Sequence, residues 1–239
     1  RKEINEYEAL LEYYNQYYKQ IDCIHFNSEV TKQVYQNFIT PNQSVVISIT
    51  HKGIKDHRKV KVFKASDIRF GFIGDTSEYK GFPMLKKALC ELEKTGVTNW
   101  SLNVWGGSLG IDEDSNKIAY KGKYDPTYLH VVFDQMDVLI VPSLWKETFS
   151  LITLEALSYG VPVLVSSNVG AKDIVKDYDS NFICGPNTDD FFEKLSLLLK
   201  DLTILETFNK RICKGEFNYS LDDHATIVKE LYMNLLKKR

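Results

Sequence analysis

Beyond residue 68, short apolar runs, several rich in β-branched residues, alternate with longer stretches that are apolar at every third or fourth position. The runs at residues 69–74 (RFGFIG), 101–107 (SLNVWGG), 117–122 (KIAYKG), 137–143 (DVLIVPS), 161–167 (VPVLVSS) and 181–185 (NFICG) predict strands. Between and after them, residues 83–94, 128–136, 150–160, 171–176 and 189–202 carry helical periodicity. Strands this apolar are buried on both faces, and their alternation with helices predicts βα units wound into a mostly parallel sheet. The expected fold class is therefore doubly wound α/β. In such sheets ligands bind beyond the carboxyl ends of the strands, where loops lead into helix N-termini.

The first part of the chain reads differently. Residues 4–20 place Leu10, Leu11, Tyr14, Tyr17 and Tyr18 at helical spacing, with Glu6, Glu8, Glu12 and Lys19 between them. That pattern predicts an amphipathic helix whose tyrosine stripe is a packing face rather than a platform for stacking sugars. An apolar segment at 21–26, a polar helical stretch at 30–38 and a β-branched run at 44–49 then predict strand, helix, strand. Residues 51–64 (HKGIKDHRKVKVFK) are dense in Lys, Arg and His. A solvated linker is the favoured reading, with a basic patch facing anionic lipid or a lipid-linked phosphate as the sharper alternative. Residues 217–239 carry a helical pattern with a basic end.

Composition narrows the classes. With 239 residues, 44% apolar and 26% charged, the chain can build one large α/β domain, or one domain and part of another. A formal net charge of -2 gives no global reason to expect nucleic acid, so any anion site is local. Cys23, Cys90, Cys184 and Cys213 lack C-x-x-C spacing, which argues against a zinc or redox pair and for reduced cytosolic thiols. No apolar run approaches the roughly 20 residues that span a bilayer, and no signal-peptide pattern opens the chain. A cytoplasmic protein is expected. The first residue, Arg1, stands inside a helical pattern and suggests a portion of a longer protein.

The window at residues 137–167 carries the candidate chemistry. Glu147 and Glu155 stand with seven residues between them, the first in the loop after a strand and the second little more than one turn into the following helix. Both carboxylates can border one pocket. Around Phe149, Ser150 and Leu151 the backbone amides fall at the helix N-terminus, where unpaired N–H groups and the helix dipole favour a phosphate. A glutamate near a helix start is common because it complements the dipole, which accounts readily for Glu147. Glu155 is harder to dismiss, because it interrupts Leu151, Ile152, Leu154, Ala156 and Leu157 in a helix that should be largely buried.

The run of Pro142-Ser143, Glu147, Phe149, Leu151, Glu155-Ala156, Gly160 and Val161-Pro162-Val163 resembles the E-x7-E region of retaining glycosyltransferases of the GT-B fold, above all the large family 4. Residues 70–81 (FGFIGDTSEYKG) resemble that family's first strand and phosphate loop, with Lys80-Gly81 at its Lys-Gly. Residues 104–107, 118–122, 168–174 and 181–186 resemble later elements in consistent order, so the resemblance covers about residues 66–201. It implies a Rossmann-like, C-terminal donor-binding domain at residues 66–215. Residues 1–65 would be the tail of an N-terminal acceptor domain plus the linker, and residues 216–239 a helix packing back toward that domain.

The resemblance also implies roles. Glu155 would hydrogen-bond the ribose hydroxyls, since a carboxylate accepts two such donors. Glu147 would face the donor sugar near the reacting carbon, and Lys80 would neutralise the departing diphosphate with amides near Phe149, Ser150 and Leu151. Lys123 and Tyr124 would border the base, while Gly74 and Gly107 would allow close approach of the ligand. The substrate implied is a nucleotide-diphosphate sugar, with no cofactor and no metal, a helix N-terminus and cationic groups taking the metal's place. Sugar would pass to the hydroxyl of a glycan or lipid-linked acceptor, held by the N-terminal domain, with retention at the anomeric carbon. Peripheral association with the inner face of a membrane stays open, and nucleic acid is not an expected partner.

Two positions depart from the family pattern. Asp75 stands where the family commonly has an arginine, which removes one expected diphosphate contact, and Thr148-Phe149-Ser150 replaces Gly-Phe-Gly. His25 and His51 stand in no recognisable catalytic motif, and His130 reads as packing. The competing readings are another GT-B enzyme, such as a nucleotide-sugar epimerase or phosphorylase, and a non-catalytic module that binds a nucleotide sugar or a partner protein. Base, sugar and acceptor are not legible.

Overall fold

The computed structural model describes residues 2–107, 109–112 and 115–237. Helix α1 (Lys2–Tyr18) leads into two parallel strands, β1 (Ile24–Phe26) and β2 (Ser44–Val46), joined through helix α2 (Glu29–Gln36). Ser28 caps α2 by accepting the Thr31 amide. The tyrosine stripe of α1 is not covered by the described residues: Tyr7, Tyr13, Tyr14 and Tyr17 are each about half exposed, and Tyr13 and Tyr17 stack edge-on against one another. Periodicity established that α1 is amphipathic but not what its face meets.

The main sheet begins with β3 (Ile68–Ile73), β4 (Trp100–Trp105), β5 (Leu109–Ile111) and β6 (Ile118–Gly122), and ends with β7 (Val138–Val141), β8 (Val163–Ser166) and β9 (Ile183–Cys184). Its order is β5-β6-β4-β3-β7-β8-β9, parallel throughout except for β5, which runs against β6 at the edge. The expected doubly wound fold is thus present. From β3 the chain winds outward to β6, then returns to the other side of β3 as β7. The crevice of a doubly wound sheet opens where that direction reverses, between the carboxyl ends of β3 and β7.

Burial explains the layers. Helix α3 (Phe82–Lys94) presents Leu85, Ala88, Leu89 and Leu92 to the sheet, all with no exposed surface, and truncating one such leucine to alanine costs about 2–5 kcal/mol. Helices α4 (Leu129–Asp134), α5 (Leu151–Ser158), α6 (Lys172–Tyr178) and α7 (Thr188–Lys200) complete the covering. Helix α4 turns Leu129, Val132 and Phe133 inward, which leaves His130 exposed and corrects its reading as a packing residue. Helix α8 (Leu202–Lys214), not distinguished in the periodicity, starts where Asp201 accepts the Thr203 amide and buries Leu205, Phe208 and Ile212 completely. Helix α9 (Leu221–Leu236) opens with a Ser220–Asp223 capping box and has no buried residue, and Lys238 and Arg239 of its basic end lie outside the described residues. Among the described residues no helix is long and apolar enough to cross a membrane.

The basic segment ahead of β3 is more than a solvated linker. Ile54 and Phe63 are buried in the main core, and the His57 amide donates to Ser158 O at the end of α5. Asn209, with no exposed surface, donates to Lys59 O and Gly160 O and accepts the Lys61 amide. Arg58 donates to Ile212 O and Gly215 O at the C-terminus of α8, where a cation also complements the helix dipole. Lys59 pairs with Asp134, and Lys61, whose ammonium burial pushes down to about 8, donates to Phe133 O. Three of the cations that raised a lipid-facing patch are thus occupied within the fold.

Candidate functional site

Three loops at the switch point are fastened to one another by backbone contacts. After β3, a single 3-10 turn at Glu78–Lys80 ends at Gly81, whose φ is +76°. A side chain there would place Cβ 2.0 Å from Pro142 O, so the loop after β7 can lie against this turn only if residue 81 is glycine. Tyr79 O accepts both the Leu144 and the Trp145 amides at 3.0 Å. The loop after β8 joins them: the Glu147 amide donates to Asn168 O, the Gly170 amide donates to Glu147 O, and the Asn168 side chain donates to Leu144 O at 2.7 Å.

This fastening puts Lys80 Nζ 2.8 Å from Glu147 Oε1. The Ser143 hydroxyl donates to the same oxygen, and Ser143 O in turn accepts the Ser166 hydroxyl. Glu147, its side chain 12% exposed, is thus a largely buried carboxylate with a cationic and a neutral donor. The family resemblance gave it and Lys80 separate roles; the fold makes them a contact pair.

Downstream, Phe149 is buried in the core and its carbonyl accepts the Ala171 amide, so it anchors the loop and offers a ligand backbone alone. Ser150 follows at φ +92°, the one residue other than glycine with positive φ among the described residues. That geometry is strained for a residue with a Cβ, by order 1–3 kcal/mol, and such strain gathers at ligand sites. Helix α5 begins at Leu151 with no side-chain cap, and the Leu151 and Ile152 amides find no acceptor among the described residues. Unpaired amides at the positive end of a helix dipole suit an anion.

Glu155 lies one turn further on, its side chain 16% exposed, and His51 Nε2 is 2.9 Å from its Oε1. Burial raises the Glu155 carboxyl above its ordinary value, and His51 opposes the rise. Tyr124, half-buried after β6, is raised by burial first and then by the charge of Glu155. Lys123 beside it is exposed. At the loop after β3, Gly74 N donates to Trp105 O, and a Cβ on Gly106 would sit 2.6 Å from Gly74 O. Gly106, with φ +116°, is therefore the glycine this junction requires, while a Cβ on Gly107 would meet nothing. Asp75 is exposed and accepts the Ser77 amide at 2.8 Å, which turns its carboxylate into its own loop.

His51, Ser143, Asn168 and Gly106 escaped the sequence reading. Only the Gly106-Gly107 pair and the Pro142-Ser143 ending of a strand were visible signals; the others act across more than twenty residues of sequence. On the outer side of the loop after β7, Trp145 joins Val30, Val34 and Tyr35 of α2 around an apolar cleft of about 420 Å³. Two Asp-x-Asp triplets occur, at 112–114 and 177–179, with Glu113 and Asp114 outside the described residues. Asp112 is paired with Lys86 and accepts the Tyr120 hydroxyl, and Asp179 is paired with Arg211, so both hold the scaffold.

Residues 53–214 match the family described as glycosyl transferases group 1. The chain belongs to that family, and its fold is that of the C-terminal domain of GT-B glycosyltransferases. A Klebsiella pneumoniae protein described as an uncharacterised 41.2 kDa protein in the cps region is 28% identical over 170 residues, 66% of this chain and 46% of that protein. An uncharacterised glycosyltransferase of Methanocaldococcus jannaschii is 27% identical over 220 residues, 88% of this chain and 56% of its own length. The chain thus spans about half the length of these two relatives. The solved structure of Anabaena HepE in complex with UDP has the same fold, with a TM-score of 0.73 at 15% identity over 93% of this chain and 67% of that one.

Proposed function

We propose that this chain supplies the donor site of a retaining glycosyltransferase, which moves a sugar from a nucleotide-diphosphate sugar to an acceptor hydroxyl. The observation that carries the reading is the convergence of Lys80, Glu147 and the unpaired amides of α5 at the switch point between β3 and β7. A diphosphate there meets a cation and a helix N-terminus, which together stabilise the charge that develops as the glycosidic bond breaks. Glu147, next to Lys80, is placed to receive hydroxyls of the donor sugar, and Glu155 those of the ribose. Tyr124 and Lys123 border the base, and the glycines at 74, 106 and 107 leave room for the diphosphate. Residues 66–215 would form the donor domain, with the acceptor recognised by an N-terminal domain whose tail is residues 1–65, and residues 216–239 bridging back. Retention rests on the family resemblance.

One observation favours a second reading. Asp75 occupies the place of an expected cation and is bound to its own loop, so a module that binds a nucleotide sugar without turnover remains in competition. Calorimetric titration with uridine, guanosine and adenosine diphosphates tests the site directly, and the UDP in the HepE structure makes uridine the first choice. Binding of one of them that Glu155→Ala abolishes is the expected result. If none binds, or if Glu155→Ala leaves binding unchanged, the donor-site reading is wrong. Release of UDP or its counterpart in the presence of an acceptor then separates the transferase from the binding module.

A further inference from the structure

We propose that His51 is a positioning residue for the donor nucleoside: its imidazole holds one oxygen of the Glu155 carboxylate so that the other is presented to the ribose hydroxyls. The inference rests on the proposed role of Glu155 and extends it to a residue outside the main sheet.

An ionised carboxylate offers about four acceptor sites, and a buried one normally fills them. Glu155 is largely buried, yet among the described residues His51 is the one hydrogen-bond donor to its side chain, at Oε1. The remaining oxygen has no protein donor among the described residues and is not closed off from solvent, so it is an acceptor that a ligand can reach. A pair of ribose hydroxyls is a donor set of the right chemistry for that oxygen.

The ring is held from behind. The Gly53 amide donates to His51 Nδ1 at 3.1 Å, so in the neutral ring Nδ1 is the acceptor and Nε2 carries the proton that points at Glu155. The Ile54 amide closes the same turn on His51 O, and Ile54 is buried in the core. A Cβ on Gly53 would fall 2.8 Å from His51 Cε1 and 3.0 Å from Nδ1, so a side chain at 53 would push the ring from where it lies. The turn thus fixes the tautomer, and the tautomer fixes the carboxylate. A histidine that merely neutralised a buried acid would need neither feature.

The test compares each of the three nucleoside diphosphates with its 2′-deoxy counterpart, titrated into the 239-residue chain and into variants whose folding is checked by thermal melting. In His51→Ala the affinity for the ribose form should fall roughly tenfold while that for the deoxy form changes little, so the preference for ribose shrinks. His51→Gln, which can donate to the same oxygen, should restore most of it. Gly53→Ala, which crowds the ring without touching Glu155, should reproduce the loss and serves as the second variant if His51→Ala does not fold. Equal weakening of both forms, or no rescue by glutamine, overturns the proposal. If Glu155→Gln removes the ribose preference and His51→Ala does not, the His51 role alone fails. If no diphosphate binds, or Glu155→Gln has no effect, the donor-site reading itself fails.

Discussion

Glu147 and Glu155 lie on one loop-to-helix junction and are buried to a similar degree, with side chains 12% and 16% exposed, but the protein treats them differently. Glu147 Oε1 takes both the Lys80 ammonium and the Ser143 hydroxyl, and its backbone is bridged in parallel to Val169. Glu155 has His51 and little else. A carboxylate gripped through one oxygen by two donors is firmly oriented, and its other oxygen is the one left to a ligand. One with a single donor is held more loosely, and its burial works against the charged form. Burial alone therefore does not tell how firmly each acid is held. The count of donors does.

The Glu147 side of the comparison stands on the contact between Gly81 and Pro142. Gly81→Ala must move the Pro142 carbonyl and hold a side chain at φ +76°, and we expect it to destabilise the fold by about 4 kcal/mol in urea melts and to disconnect Lys80 from Glu147. Gly107→Ala, whose added methyl meets open space, is the control and should stay within about 0.5 kcal/mol of the parent. If the two variants melt alike, the loops are not fastened as described.

Next in size is a separation of the two acids by ligand. Lys80→Ala should weaken nucleoside diphosphates by about 10- to 100-fold, as for a lost charge-assisted contact, while leaving the nucleoside alone almost unaffected. Glu155→Gln should do the reverse, removing the advantage of ribose over deoxyribose and sparing the advantage of two phosphates. Variants that lose both preferences together would show that the site does not divide at this junction.

The main sheet was legible because doubly covered parallel strands are continuous apolar runs, and residues 137–143 and 161–167 read directly as β7 and β8. The edge was not: β5 is three residues long with Gly110 at its centre, and no alternation can show in so short a piece. Helix α8 was hidden by its nearness to α7, the two sharing Asp201 as a boundary, where the Asp201 cap on Thr203 was the missed signal. Of the proposed site, Glu147 and Glu155 were visible in their spacing around a helix start, and Lys80 and Tyr124 through the family resemblance. His51 was not, because its partner is 104 residues away and nothing in a basic stretch marks one histidine as turned inward. Motifs report what a loop carries; pairing across loops belongs to the fold.

A smaller effect concerns pH. The folded-state pKa of Glu155 is raised, so between its unfolded value and that raised value the folded chain binds more protons than the unfolded one, and stability falls as pH increases through the window. Asp56 and Asp134, lowered by Arg58 and Lys59 respectively, act in the opposite direction, and a single melting curve mixes all three. The difference between parent and Glu155→Gln isolates the one group, since glutamine imitates the protonated acid. The variants should melt together below the unfolded value, and the glutamine form should gain on the parent toward neutral pH while binding nucleotide less well. A parent that is the more stable of the two at neutral pH would mean that His51 satisfies Glu155 fully, and the contrast with Glu147 would collapse.

The smallest expected effect probes the hinge between the two acids. Ser150 holds a φ that glycine adopts freely, and its hydroxyl is in contact with that of Thr153, 3.1 Å away. Ser150→Gly relieves the backbone strain, loses that hydroxyl contact and adds the chain entropy of glycine, for a net gain of about 1 kcal/mol measured by thermal melting. If strain at Ser150 serves to aim the first amides of α5, the relaxed variant should be the more stable protein and the weaker diphosphate binder, with its ribose preference intact. Unchanged diphosphate affinity would make the strain incidental and leave Lys80 as the main determinant of phosphate binding on the Glu147 side.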